Sequence, residues 1–240
     1  MIVLFTDFGI QDPYVGQIKS VIMQHAPGIP VIDLLHHVPD YDIKAASYLL
    51  PAYVRGFPPD SIFICVVDPG VGGSRQVCVA QLEGRWFIGP ENGLFSVLQQ
   101  RSTQVKWWHI STSEFAASAS FHGRDIFAPI AVKLAMGDLS GLSAVKPPEP
   151  ESGWPADLSE IVYIDHYGNL ISGFRFSQLP SGSQIQFKGE FLPKARTFSD
   201  VDEGSAFFYE NANGLLEIAV NKGSAESIFD ARLGDGFTIL

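Results

Sequence analysis

Basic residues are scarce. Sixteen Lys and Arg stand against twenty-six Asp and Glu in 240 residues, which leaves a formal charge of -10. Such a surface repels phosphate backbones and anionic lipid, so neither nucleic acid nor membrane is an expected partner, whereas a cationic small molecule suits it. Cysteine is scarcer still: Cys65 and Cys78 are the only two. Each lies in a β-branched run that reads as a buried strand, which argues against a disulfide framework and leaves no cysteine-based zinc site. Long apolar runs are missing as well. The most apolar later stretch, residues 127–136, contains Pro129 and Lys133 and falls short of the roughly 20 residues that span a bilayer. Residues 1–9 carry no basic stretch ahead of their short apolar run, unlike a signal or transit peptide, so a cytoplasmic location is expected.

What is present is a hydrophobic fraction of 46%, enough for one large core or two modest ones. The first two-thirds alternates strand-like and helix-like periods. Residues 2–6 form an apolar strand, and Asp12 and Pro13 read as the cap and first turn of a helix whose face carries Tyr14, Ile18, Val21 and Ile22, with His25 at its C-terminal end before Pro27 and Gly28. Strand 30–35, helix 42–55 with Pro51 inside it, and the fully apolar strand 61–67 follow. Glu83-Gly84 joins strands 76–82 and 85–89 as a hairpin, so the expected sheet is mixed and mostly parallel, lying between helices. A short helix at 94–100, a strand at 104–110 and a helix at about 124–136 complete this half, with Trp107, Trp108 and His109 packing the sheet.

Four prolines between residues 147 and 155 interrupt any regular element. The expected organisation is therefore an α/β domain over 1–145, a Pro-rich linker over 146–157 and a smaller domain over 158–240. The last segment contains short apolar runs separated by Gly, Asn, Pro and Ser with no helical period, the texture of a small β-barrel or sandwich.

Polar residues gather where the first three strands end: Thr6-Asp7, His36-His37 and Asp68. Ligands of open α/β sheets sit outside the carboxyl ends of strands, so these positions converge on one crevice. Asp7-Phe8-Gly9 and His122-Gly123-Arg124-Asp125 resemble kinase motifs only superficially, since their order is reversed and no glycine-rich loop with a strand lysine accompanies them. The Gly70–Arg75 loop lacks the Lys-Ser/Thr of a phosphate-binding loop. Adjacent His36 and His37 diverge too much to share a metal readily.

Taken in order, Thr6-Asp7-Phe8-Gly9, Asp68-Pro69-Gly70-Val71-Gly72 with Arg75, Gly89-Pro90-Glu91-Asn92-Gly93, Phe121-His122-Gly123-Arg124-Asp125, Asp165-His166-Tyr167-Gly168-Asn169 and Asn213-Gly214-Leu215 with Ile218, Ala219 and Asn221 resemble the S-adenosyl-L-methionine hydroxide adenosyltransferases. These are hydrolase relatives of fluorinase and chlorinase enzymes. The resemblance runs from residue 6 to residue 221. It implies an amino-terminal α/β domain, a carboxyl-terminal β-barrel, and a homotrimer with inter-subunit sites. The implied reaction is attack of water or hydroxide at C5′ of S-adenosylmethionine (SAM), giving adenosine and L-methionine without metal or cofactor.

The resemblance also assigns residues. Asp68, Arg75 and His122 match the hydrolase branch's catalytic set; as an aspartate, Asp68 favours hydrolysis over halogenation. Asp7 should accept the ribose hydroxyls, and Tyr41 should lie near the sulfonium, where a halogenase has tryptophan. Asp165 should meet the methionine ammonium and Asn169 the adenine edge. Tyr167 and Phe198 should supply aromatic faces, with the backbone of Val220 to Lys222 completing the adenine pocket. Asn213 should lie near the methionine carboxylate, where a halogenase has arginine. Competing readings are a SAM-dependent halogenase, a non-catalytic adenosine or SAM binder, and a metal-dependent phosphoesterase.

Overall fold

The computed structural model describes residues 1–112 and 115–240. The chain divides into two compact units, one formed by Met1–Ser47 with Gly56–Ser152 and the other by Tyr48–Arg55 with Gly153–Leu240. The sequence does not foreshadow the assignment of residues 48–55 to the later unit.

The first unit is built on one sheet containing β1 (Ile2–Thr6), β2 (Val31–Leu35), β3 (Ile62–Val66), β4 (Val77–Leu82), β5 (Arg85–Pro90), β6 (Val105–Ile110) and β7 (Leu142–Val145), in the order β2-β1-β3-β5-β4-β6-β7. The pairings β1–β2, β1–β3 and β3–β5 are parallel, and β4–β5, β4–β6 and β6–β7 antiparallel. The sheet is therefore evenly mixed, which corrects the mostly parallel expectation. The hairpin turns β4 against β5, and the short edge strand β7, with two exposed residues, carries too weak an alternation to be read beforehand. One face, with Ile2, Leu4, Ile64 and Val66, packs on α1 (Tyr14–His25) and α4 (Ala128–Ala135). The opposite face buries Val3, Phe5, Phe63, Cys65 and Phe87, and Phe63 stacks on Phe87 at 5.0 Å with ring planes 12° apart. Each fully buried phenylalanine contributes about 1.5–3 kcal/mol of transfer free energy.

Helix α1 begins one residue later than expected. Pro13, not Asp12, holds the cap position, and no side chain caps the helix, because the helical φ of proline already pre-forms the first turn. The expected 124–136 helix is two elements: a π-helical turn, Gly123–Phe127, leads into α4. Helix α2 (Ile43–Tyr53) contains Pro51 and passes into a short 3₁₀ turn, Val54–Gly56, while Asp42 Oδ1 accepts the Ala45 N–H at 2.8 Å and stops its N-terminus from fraying. Between β5 and β6 lies α3 (Ser96–Gln100).

The second unit holds two antiparallel sheets. One contains β8 (Leu158–Ile164), β9 (Leu170–Arg175), β12 (Ala206–Glu210) and β13 (Leu215–Val220) in the order β12-β13-β9-β8. The other contains β10 (Ile185–Phe187), β11 (Glu190–Leu192) and β14 (Phe237–Ile239) in the order β11-β10-β14. Single bridges join Glu160 to Gly236 and Lys194 to Phe208. A helical turn absent from the sequence reading, α5 (Ala225–Phe229), is capped by Ser224, whose Oγ accepts the Ser227 N–H at 3.1 Å. Both cysteines are free and buried. Among the described residues no helix is long and apolar enough to cross a membrane, and no cluster of three or more His, Cys, Asp or Glu could hold a metal ion.

Candidate active site

In the first unit, β1 ends at Thr6 and β3 at Val66, so Asp7 and Asp68 leave the same edge of the sheet; the Asp7 N–H donates to the Val66 carbonyl at 3.2 Å. Arg75, just before β4, grips Asp68 with both arms of its guanidinium: Nε donates to Oδ1 at 2.9 Å and Nη2 to Oδ2. The same Nη2 lies 2.9 Å from His122 Nδ1. A guanidinium only donates, so Nδ1 accepts, and the neutral imidazole carries its hydrogen on Nε2. The side chains of Arg75 and Asp68 retain only 11% and 4% of their exposure, so the pair works in a low dielectric. Burial lowers the His122 pKa, as does the Arg75 charge, against the opposing pull of Asp68 and Asp125. The ring is thus held in its neutral form at physiological pH.

Neighbouring motif residues build this cluster without joining it. The Asn92 side-chain amide donates to the Val67 carbonyl at 3.0 Å, fixing the strand end beside Asp68. Asp125 accepts the Ser118 N–H at 2.8 Å and is itself clamped by Arg124, shaping the loop that delivers His122. Gly72, at φ +79°, permits close approach of the Arg75 loop to that segment, since a Cβ there would lie 2.5 Å from the Ala119 carbonyl oxygen.

A cleft of about 680 Å³ opens here, lined by Asp7, Tyr41, Asp68, His122 and the aromatic trio Phe8, Tyr14 and Phe121. Asp7 accepts the Tyr41 N–H at 3.2 Å. Burial raises the Asp7 pKa, partly offset by backbone N–H groups and reinforced by the charges of Asp40 and Asp68. Tyr41 sits on the rim at φ +61° and is 73% exposed.

The second unit has its own cleft, of about 720 Å³, lined by Asp165, Tyr167, Asn169, Phe198, Asn213, Val220 and Lys222, while Asn221, between the last two, is not part of the lining. Asp165 organises its turn. Its Oδ1 accepts the N–H groups of Tyr167 and Asn169, both at 2.9 Å, and its Oδ2 accepts the Asn169 Nδ2 at 2.9 Å. Asn169 Oδ1 is buried and has no hydrogen-bond partner among the described residues. Phe198 packs edge-on against Phe207 and Tyr209, at 5.2 and 5.5 Å, whereas Tyr167 is 73% exposed. Lys222 donates to Glu203 at 2.8 Å.

Tyr53, Tyr163, Tyr209, Asn211 and Glu217, which no sequence motif marks, line the same cleft. Glu217 accepts the Tyr209 hydroxyl at 2.6 Å and the Asn211 amide at 3.0 Å. Burial raises its pKa; those two bonds oppose the rise and the nearby Asp165 charge adds to it. Burial also raises the phenols of Tyr53 and Tyr209, the latter further through its bond to Glu217. The available signal was a lone acid in the otherwise apolar run 215–220.

Residues 2–143 match the SAM hydroxide adenosyltransferase N-terminal domain, and residues 159–238 the corresponding C-terminal domain. A relative from Thermus thermophilus named (R)-S-adenosyl-L-methionine hydrolase is 35% identical, with 95% of each chain covered. A fluorinase from Actinoplanes is 23% identical over all of this chain and 96% of its own. The crystal structure of an uncharacterized conserved protein from Thermotoga maritima superimposes with a TM-score of 0.90 at 31% identity, covering 100% of this chain and 99% of that one. The chain belongs to the SAM hydroxide adenosyltransferase family.

Proposed function

We propose that the protein hydrolyses S-adenosyl-L-methionine by attack of water or hydroxide at C5′, releasing adenosine and L-methionine. The observation that carries this reading is the hydrogen-bonded run Asp68–Arg75–His122, with Asp68 and His122 opening on the cleft that also holds Asp7. The greater identity to relatives named as hydrolases, 35% against 23% for a fluorinase, supports hydrolysis over halogenation.

The chemistry needs little machinery. Oxygen bonds to C5′, the C5′–S bond breaks, and its electron pair leaves with methionine as a neutral thioether, so the leaving group requires neither an acid nor a metal. Neutral His122 donates its Nε2–H to the attacking oxygen, while Asp68, oriented by its two-armed contact with Arg75, is the carboxylate towards which the water's proton passes. Attack by hydroxide on a sulfonium neutralises both charges, which a dry cleft favours.

Asp7 then accepts the ribose hydroxyls beside Tyr41. Asn169 offers its unpaired Oδ1 to the adenine amine, with Tyr167 and Phe198 as faces and the Val220–Lys222 backbone at the edge. Asp165 faces the ammonium, and Asn213 lies towards the carboxylate. On this reading the protein is a homotrimer in which the first cleft of one copy and the second cleft of its neighbour enclose one ligand. The bridges Glu160–Gly236 and Lys194–Phe208 support closure of the two sheets of the second unit into a small barrel. Two buried free thiols suit a reducing, cytoplasmic setting.

The test is incubation with SAM. Adenosine and methionine should accumulate in equal amounts beyond one turnover per chain, unaffected by EDTA or halide. Stoichiometric binding without turnover, or a halogenated nucleoside, would overturn the reading.

A further inference from the structure

We propose that Arg55, on the 3₁₀ turn after α2, is the carboxylate-recognising residue of the second cleft and gives it its preference for ligands with an intact amino-acid head. Arg175, Lys188, Arg196, Lys222 and Arg232 each face a carboxylate, and Lys194 lies over the Phe176 ring at 4.8 Å. Among the described residues Arg55 is the one remaining Lys or Arg of the unit, exposed and without an ion pair or ring contact.

Its position is specific. A Cβ built on Gly214 would meet the Arg55 Nη1 at 3.0 Å and the Glu210 Oε1 at 3.8 Å, so the guanidinium lies on the Asn213–Gly214 turn with a carboxylate in its vicinity; Asn213 lines the cleft, and Arg55 stands behind it at the cleft's edge rather than in its lining. Tyr53, two residues before Arg55, lines it too. Gly214, at φ +78°, leaves room that any side chain would take from the guanidinium.

The ligand class follows from charge. The cleft wall carries Asp165 and Glu217, whose oxygens meet only neutral donors, so it repels a phosphate and attracts a cation. The Arg55 guanidinium at the Asn213 end, with no ion pair to the neighbouring Glu210 among the described residues, adds one site for a planar anion, which its parallel N–H pairs fit in bidentate fashion. Negative charge in the wall and one free fork at the turn complement a zwitterionic α-amino acid, joining its ammonium and carboxylate sites in one cleft.

This inference rests on the proposed hydrolysis of SAM, and its test separates the two. Wild type, Arg55→Gln and Arg55→Lys are assayed with SAM and with its decarboxylated analogue, which keeps the sulfonium and the amine. Arg55→Gln should lower kcat/KM for SAM about 10- to 100-fold, mainly through KM, and leave the analogue within about twofold; Arg55→Lys should recover part of the loss by restoring charge without the fork. Adenosine affinity should not change in any of them. Parallel losses on both substrates, or no loss on SAM, would overturn the assignment. If wild type releases no methionine from SAM, the hydrolase reading fails by itself, and calorimetry with L-methionine against 3-(methylthio)propylamine reads the Arg55 preference directly.

Discussion

Asp68 in the first unit and Glu217 in the second are both withdrawn from solvent, yet their partners differ in kind. Asp68 is gripped by a guanidinium that also reaches His122, whereas Glu217 is met by a phenol and an amide. A carboxylate paired with arginine has its charge matched by a fixed fork of donors, which also holds the neighbouring imidazole in one orientation. A carboxylate served by neutral donors leaves its charge uncompensated, and burial drives its pKa upward. The first arrangement suits chemistry on a water molecule; the second leaves negative field for a cationic ligand.

The sharpest way to break the contrast is to remove members of the paired cluster. Asp68→Ala and His122→Ala should each lower kcat by about 100- to 10,000-fold while adenosine affinity changes little, and the double variant should lose scarcely more, because the three residues act as a unit. Arg75→Lys should fail similarly, since an ammonium cannot hold the carboxylate and the imidazole in one plane. Single-turnover methionine release is the measurement, and losses that multiply in the double variant would show independent roles.

Binding comes next in size. Asp7→Ala should weaken adenosine and SAM alike by about 2–4 kcal/mol, as two hydroxyls lose a charged acceptor. Asp165→Ala sharpens the comparison from the other side. The resemblance alone confines Asp165 to the amino-acid end of the ligand, but its carboxylate also holds Asn169 through backbone and side chain. Adenosine affinity should therefore fall as well, by about tenfold, when read by calorimetry; an unchanged adenosine Kd would return Asp165 to the narrower role.

The smallest effect is on stability. Because the folded-state pKa of Glu217 is raised, the folded protein binds that proton more tightly than the unfolded chain does. Its contribution is fully present below the ordinary glutamate range and is lost as pH rises through the raised value. Glu217→Gln should accordingly gain on wild type by roughly 2 °C in Tm between pH 4.5 and pH 8. A Tm difference that is flat with pH would mean that the carboxyl is not strained by burial.

Much of the first unit was legible because its information is local. The apolar runs of β1 and β3 mark buried strands, and the rule that ligands gather at strand ends brings Asp7 and Asp68 to one cleft. The antiparallel share of the sheet was less legible, since β7 is a four-residue edge with two exposed positions. In the second unit the Asp165–Asn169 turn announces itself by composition. Tyr53, Tyr163, Tyr209 and Glu217, by contrast, come from separate elements, and only the tertiary fold brings them to one wall. Arg55 was invisible for the same reason: nothing in residues 54–56 points towards Gly214, more than 150 positions later. The helical turn α5 had its cap in plain view at Ser224, but five residues are too few for a period.

Hydrolysis at C5′ is defined by which atom water attacks, and isotope labelling reads that directly. Turnover of SAM in water enriched in oxygen-18 should place one labelled oxygen at the 5′ position of adenosine, leave methionine unlabelled, and yield both products in equal amounts. Unlabelled adenosine, or label carried by the methionine fragment, would contradict attack at C5′ and with it the role assigned to Asp68, Arg75 and His122.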